Sequence, residues 1–445
     1  MIEKRKIAFC TLGCKLNFSE TSTLARKFLE NGFVRVSANE MADVYVVNTC
    51  SVTENADKKC RQLLRKLTKQ NPDAIIVATG CYAQLKPHEL ANIEGIDIVV
   101  GADYKDNIFE YVNSIREKKN AQIFSCEINE TQSFFKAFSL GDRTRSFLKV
   151  QDGCDYHCAY CTIPMARGKS RNISINEVCG EAKIIAASGV KEIIITGINT
   201  GDFGKTTGES FIELLKNLEK IDGIERYRIS SIEPNLLTDE IIEFVGFSSK
   251  FLPHFHIPLQ SGSDKILALM RRRYNTELFA QRINNVFSVM PNAFIGIDVI
   301  TGFPTETDYD FNITYNFLKE LQPAYLHIFP YSDRANTTTA AMLEKITPEI
   351  KTKRANELKQ LCKTLHTEFY NRNIGKKAKI LVESTRRGEM LCGFSENYVK
   401  VEIPYQKDLA GKIVEVEITG IAENGNAVGI LKSRNYSAKG LILSE

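Results

Sequence analysis

The chain has 445 residues, 43% hydrophobic and 25% charged, with a formal net charge of +4 at pH 7. Roughly 150 residues per domain predicts about three domains, and no apolar run approaches the ~18 residues needed to span a bilayer. The opening "MIEKRKIAFCTLGC" lacks the apolar core of a secretory signal. The expectation is a cytoplasmic globular protein with no membrane partner, whose 12 cysteines are free thiols or metal ligands rather than a disulfide framework. So small a net charge does not by itself establish nucleic-acid binding; its distribution says more.

The first third carries three runs rich in β-branched or aromatic residues, "KIAFCTLGC", "DVYVVNTC" and "AIIVATGC", each ending in cysteine. Helical patterns, "SETSTLARKFLENG" and "NADKKCRQLLRKLTKQNP", separate them. Strand, helix, strand, helix, strand predicts a parallel sheet with right-handed crossovers. Its strands all end on one edge, where ligands bind. Cys14, Cys50 and Cys81 would meet there, either as a metal site one ligand short of closure or as three inert buried thiols. Cys60 with Leu63, Leu64 and Leu67 makes an apolar stripe of helical period and belongs to the core. The opposite face carries Lys58, Arg61, Arg65 and Lys69, which is a solvated face or a set of phosphate contacts. Cys10, Cys126, Cys179, Cys362 and Cys392 have no matching partners and read as ordinary buried thiols.

From about residue 140 six strand-like runs follow, each leading into helical sequence: "SFLKVQDGC", "KEIIITGIN", "RYRISSIEP", "FLPHFHIPLQ", "AFIGIDVITG" and "YLHIFPYS". Ser174 and Glu177 form a capping box that starts the first intervening helix. Six βα units fall short of a closed eightfold barrel and predict an open, partial one, with function where strands run into loops. On that edge lie Asn199, Glu233 with Pro234, Gln260-Ser261-Gly262, Thr301-Gly302, and Tyr331 with Asp333. The first strand leads into "CDYHCAYC", which holds Cys154, Cys158 and Cys161. Structural zinc would need a second ligand pair, which does not follow, and His157 is awkwardly placed within the loop. Three thiolates suit a [4Fe–4S] cluster with one iron open to a small molecule.

That loop resembles the Cys-x3-Cys-x-aromatic-Cys motif of radical S-adenosylmethionine enzymes. The resemblance implies that the open iron chelates S-adenosylmethionine, whose reductive cleavage gives a 5′-deoxyadenosyl radical, and that Tyr160 packs near the cofactor adenine. "TLGCKLN", "NTCSVT", "ATGCYAQ", "QDGCDYHCAYCTIPMARGKSR", "HIPLQSGSD", "DVITGFPTET" and "HIFPYSDRANT", in this order, are similar to the methylthiotransferase branch. By that similarity Cys14, Cys50 and Cys81 hold a second [4Fe–4S] cluster, and S-adenosylmethionine serves twice, as radical source and as methyl donor. Asn199, Glu233, Gln260 and Arg272 are placed near the cofactor by position only, and no side chain is assigned a catalytic role beyond the clusters. Leu16 and Asn172 depart from residues common in relatives, and neither is a ligand.

Residues 347–373 read as a long charged helix, and after Gly375 short alternating runs predict a small all-β barrel with a hairpin at "ENGN". This module resembles the TRAM domain, an RNA-binding appendage of the family; Lys376 and Lys377 would contribute, or the module is a structural cap. The expected organisation is mixed α/β: a methylthiotransferase domain at 1–125, a partial (βα)6 radical core at 140–372 and the TRAM-like barrel at 373–445. "TLGCKLN", with Lys15, most resembles the threonylcarbamoyladenosine tRNA methylthiotransferases. The substrate implied is the modified adenosine beside the anticodon, in a loop whose splayed bases a protein reaches, with an external electron donor as a further partner. Arg167 with Arg171, and Arg271 to Arg273, are further candidates for the phosphate backbone or for a solvated face. Isopentenyladenosine in tRNA and a ribosomal-protein aspartate are the alternative substrates, and a non-catalytic iron–sulfur RNA-binding protein is the reading from another class.

Overall fold

In the computed structural model, which describes residues 4–432 except 116 and 119, the three cysteine-ended runs are the centre of a parallel sheet. Strands β1 (Lys6–Thr11), β2 (Val34–Val36), β3 (Val44–Thr49), β4 (Ile75–Gly80), β5 (Ile98–Val100) and β6 (Gln122–Phe124) pair in the order β2-β1-β3-β4-β5-β6. All side chains of β3 and β4 are buried, as expected of strands covered on both faces. Helix α1 (Lys15–Glu30) follows β1, α2 (Glu54–Gln70) follows β3, and the single turn α3 (Cys81–Leu85) follows β4. Cys60, Leu64 and Leu67 of α2 are buried against the sheet, with Leu63 half-buried beside them. β2, β5 and β6 are additions to the expected three strands.

The six later runs form the expected parallel strands. The first is β7 (Ser146–Lys149) and is followed by a small ribbon, β8 (Gln151–Asp152) with β9 (Arg171–Asn172). The others are β10 (Glu192–Thr196), β11 (Arg226–Ile229), β12 (His254–Gln260), β13 (Phe294–Thr301) and β14 (Tyr325–Pro330). They pair as β11-β10-β7 and β12-β13-β14, and isolated parallel bridges, Tyr227 to Phe251 and Ser231 to His256, join the two sets. No pairing links β7 to β14 among the described residues, so the barrel is open. Its core lies between strands and outer helices, with Ile193, Ile195, Tyr227, Ile257 and Ile297 facing those helices. Ser174 accepts from the Glu177 amide while the Glu177 carboxylate accepts from the Ser174 amide, the predicted capping box.

The chain divides into two units, Met1–Leu365 and His366–Glu445, inside the helix Pro348–Asn371. In the second unit β15 (Lys377–Arg387), β16 (Met390–Phe394), β17 (Lys400–Pro404), β18 (Ile413–Ile421) and β19 (Ala427–Leu431) close a barrel in the order β15-β16-β17-β19-β18. The hairpin at 423–426 closes as expected, with the Ala422 amide donating to the Asn426 carbonyl at 2.8 Å. The end of the expected module, 433–445, lies outside the described residues.

Candidate active site

Three of the four cysteine-bearing turns are built on glycine. Gly13 (φ +102°), Gly80 (φ +95°) and Gly153 (φ +70°) immediately precede Cys14, Cys81 and Cys154 in left-handed conformations. A Cβ on Gly13 would lie 2.8 Å from Cys50 Cβ and 2.9 Å from its Sγ, so the approach of these strand ends needs glycine. Cys14, Cys50 and Cys81 leave β1, β3 and β4 together, near enough that Cys81 and Cys14 both oppose ionisation of Cys50. Burial is the larger influence and pushes the Cys50 thiol up to about 12. Cys14 caps α1, whose N-terminal amides favour negative charge. Asn17, one turn on and fully buried, donates to the carbonyls of Leu12 (2.8 Å) and Thr49 (3.0 Å), tying the β1 and β3 turns together.

The second trio lies in the loop after β8. Each of its sulfurs accepts a hydrogen bond: Cys154 from the Tyr156 amide at 3.4 Å, Cys161 from the Ile163 amide at 3.4 Å, and Cys158 from Arg272 Nη1 at 3.1 Å. Burial pushes Cys154 and Cys161 up to about 12. Arg272 also pairs through Nη2 with Glu233 and donates from Nε to the Tyr274 hydroxyl at 3.1 Å. Two residues placed near the cofactor from sequence thus clamp each other beside Cys158. Asn199 accepts from the Glu233 amide at 3.4 Å, and its buried Nδ2 has no hydrogen-bond partner within the protein. Gln260 ends β12 at φ +69°, a strained backbone for a non-glycine residue. Tyr160 packs against a cluster of Ile266, Met270, Ile300, Phe303 and Tyr331, its ring edge-on to Phe303 at 6.4 Å.

The basic residues separate into two groups. Lys58, Arg65 and Lys69 are exposed on α2, as are Lys376 and Lys377 in the second unit. Arg61 instead bonds the Tyr82 hydroxyl (2.6 Å) and Glu89 (3.1 Å), at a cleft of about 410 Å³ shared with Asp57, Lys86 and Arg334. The grouping of Arg167 and Arg171 with phosphate contacts or a solvated face is corrected: both are buried. Arg167 Nη1 lies 3.0 Å from Glu20 and 2.9 Å from Asp152, and its Nη2 donates to Asn17 Oδ1 at 2.6 Å. Arg171 donates to the carbonyls of Arg167, Lys169 and Ser133. Arg272 is buried by its Glu233 pairing.

Residues 6–101 match the family described as "Uncharacterized protein family UPF0004", and residues 148–318 match the radical SAM superfamily. The chain is 40% identical to the threonylcarbamoyladenosine tRNA methylthiotransferase MtaB of Bacillus subtilis over 93% of each chain. It is 31% identical to a tRNA-2-methylthio-N(6)-dimethylallyladenosine synthase of Clostridium botulinum, covering 92% of this chain and 93% of that one. The chain belongs to the radical S-adenosylmethionine methylthiotransferase family. In fold it is similar to the radical S-adenosylmethionine methyltransferase TsrM of Kitasatospora setae, with a TM-score of 0.53 at 13% identity over 86% of this chain and 79% of that one.

Radical S-adenosylmethionine enzymes hold a [4Fe–4S] cluster and S-adenosylmethionine, and the residues present fit both. Cys14, Cys50 and Cys81 at three neighbouring strand ends, and Cys154, Cys158 and Cys161 in one loop, are all free thiols, and each trio supplies the three thiolates of a [4Fe–4S] cluster with one iron left open. The unsatisfied Asn199 Nδ2 and Thr301 Oγ1, both buried at strand ends, offer polar partners to a small molecule. Sequence reasoning missed Asn17 as a brace for the first trio and Tyr274 as a partner of Arg272. Asn17 had a signal, since it lies three residues after Cys14 on the same helical face; Tyr274, whose hydroxyl also donates to the Pro258 carbonyl at 2.6 Å, had none in spacing.

Proposed function

We propose that this methylthiotransferase converts N6-threonylcarbamoyladenosine, beside the anticodon of tRNA, to its 2-methylthio derivative in the cytoplasm. What supports this substrate is the graded similarity, 35–40% to four threonylcarbamoyladenosine enzymes against 30–31% to the dimethylallyladenosine enzymes, over nearly the same share of the chain. Cys154, Cys158 and Cys161 would hold the cluster that engages S-adenosylmethionine; Cys14, Cys50 and Cys81 would hold a second one. When bound, these groups and an external electron donor supply the radical and methylthio chemistry that no acid–base pair can perform at an unactivated aromatic C–H.

The chain's own residues do the rest. Arg272 fixes Cys158 and Glu233 in one arrangement, Asn199 presents an amide donor to the cofactor, and Tyr160 walls the adenine side with its ring. Burial outweighs Arg272 and lifts Glu233 above the usual carboxylate range. The apolar group of Ile266, Met270, Ile300 and Phe303 keeps water from the side of the site it lines. Lys58, Arg65 and Lys69, with Lys376 and Lys377, would meet phosphates of the anticodon stem-loop. The test is mass spectrometry of digested tRNA from cells with and without the gene. Loss of 2-methylthio-N6-threonylcarbamoyladenosine with its unthiolated precursor accumulating is the expected result. If that nucleoside persists and the isopentenyl analogue disappears, the substrate assignment falls and the family holds.

A further inference from the structure

The short helix Ile163–Arg167 begins just after Cys161 and packs on α3, the turn that Cys81 opens. Its last residue, Arg167, therefore carries a charge from the loop of the second trio to the cysteines of the first. Arg167 is 3% exposed. Its Nη2 donates to Asn17 Oδ1 at 2.6 Å, and the same oxygen accepts from Cys14 Sγ at 3.8 Å, so a single atom bridges the guanidinium and a cysteine sulfur. Arg167 works against the burial that raises the Cys14 and Cys50 thiols, and Cys14 and Cys81 in turn favour its charge. Its Nε, another donor of the same rigid fork, is buried with no hydrogen-bond partner within the protein.

Ion pairing alone does not account for this arrangement. At ion-pair distance three buried cations, Lys105, Lys149 and Arg167, face two buried carboxylates, Glu20 and Asp152, and Arg171 lies 3.9 Å from Asp152 as a fourth. A surplus of buried positive charge is costly unless an anion lies beside it. Three thiolates around a [4Fe–4S] core are such an anion, and one electron more makes it more negative. Nearby charge and hydrogen bonds to the sulfurs are what set the potential of such a cluster. The second trio has a different arginine partner, Arg272, at 3.1 Å from Cys158.

We propose that Arg167 is a positioning residue for the first trio: its guanidinium, braced by Asn17, Glu20 and Asp152, raises the reduction potential of the cluster that Cys14, Cys50 and Cys81 would hold. This rests on the reading of that trio as a cluster site and goes beyond it to the group that sets its redox poise. The electron comes from the external donor, and the fixed cation favours the cluster's one-electron-reduced form.

The test uses full-length, iron-loaded protein in which Cys154, Cys158 and Cys161 are all replaced by alanine, so that the first cluster is seen alone. Its midpoint potential is read by electron paramagnetic resonance during titration with dithionite, with thermal melts to confirm folding. Arg167→Gln should lower the ratio of reduced to oxidised cluster at a fixed potential by about 10-fold or more, as loss of a close buried charge does, which is a downward shift of about 59 mV for a one-electron couple. Arg167→Lys, which keeps the charge, should hold most of the original value. Asp152→Asn, which removes a carboxylate and keeps the arginine, should move the midpoint upward. A folded, loaded Arg167→Gln with an unmoved midpoint would overturn the proposal and leave the cluster reading intact; equal shifts in the Lys and Gln variants would overturn it in favour of a packing role. In protein lacking Cys14, Cys50 and Cys81 instead, Arg167→Gln should leave the second cluster's midpoint in place, and an equal shift there would also overturn it. Absence of iron from the first background would overturn the cluster reading itself. If Arg167→Gln does not fold, Asp152→Asn decides: a midpoint that fails to rise overturns the proposal.

Discussion

Glu20 shows how one residue can hold two layers together. Its fully buried carboxylate accepts from Lys105 at 2.6 Å, Lys149 at 2.9 Å and Arg167 at 3.0 Å. Those cations come from the first sheet's periphery, from strand β7 and from the end of the short helix Ile163–Arg167 that follows the second cysteine trio. Burial alone would raise Glu20, but Arg167, Lys105 and Lys149 outweigh it and hold the carboxyl well below the usual range. The folded value is depressed, so this stabilisation is complete above the ordinary carboxylate pKa and is lost as pH falls through the folded value. Glu20→Gln leaves three buried cations facing Asp152 alone and should cost about 3–5 kcal/mol, as removing one partner from a buried ion network does. Denaturant unfolding of the loaded protein at neutral pH measures it; a change under about 1 kcal/mol would mean that Asp152 and solvent replace Glu20. None of this was legible beforehand. Glu20, Lys105, Lys149 and Arg167 are scattered over the first 167 positions, and a charged residue in a helical pattern reads as surface until its partners are known.

At the scale of elements, legibility followed length. β3, β4 and the barrel strands are runs of β-branched residues long enough to carry a pattern, and the mixed α/β class with its open barrel is borne out. β2, β5 and β6 have three residues each and exist because a neighbour's edge is there to pair with, which is tertiary information. β16, "MLCGF", carries a weak strand signal because a glycine and a cysteine hide its alternation. The cysteine turns were the clearest sites in the sequence, since a glycine before each of Cys14, Cys81 and Cys154 left its mark there. The helix Ile175–Ala187, read from its capping box, holds a less visible feature. Burial raises Glu181 to about 7 against the opposing pull of Lys136 and Arg26, and its Oε2 has no hydrogen-bond partner within the protein. Between about 4.5 and about 7 the unfolded chain releases this proton and the native one keeps it, so stability falls as pH rises through that window and then levels. Glu181→Gln should remove that slope, making the variant more stable than the wild type at pH 8 and indistinguishable from it near pH 4; parallel stability profiles would show that Glu181 is ionised in both states.

For the whole molecule the net charge of +4 does not say which cations can meet RNA, because some of the 58 basic residues are buried. Arg167, Arg171, Arg226, Arg228, Arg334 and Arg354 are all buried, several of them paired with buried carboxylates. RNA affinity must therefore come from the cations left outside, and on α2 these include Lys58, Arg65 and Lys69, on one face of a helix whose other face is core. Each phosphate neutralised on a single-stranded loop contributes about 0.7 to the slope of log affinity against log salt. Replacing these three by alanine should lower that slope by about 2 and weaken binding most at low salt, with little change in stability because the side chains are exposed. Titrating a labelled anticodon stem-loop against both proteins at several salt concentrations measures it. An unchanged slope would show that the outer face of α2 does not lie along the RNA backbone. A slope reduced by only about 0.7 would show that one of the three residues makes the contact. Because a phosphate contact reads no base, the loss should be the same for loops with and without the adenosine modification.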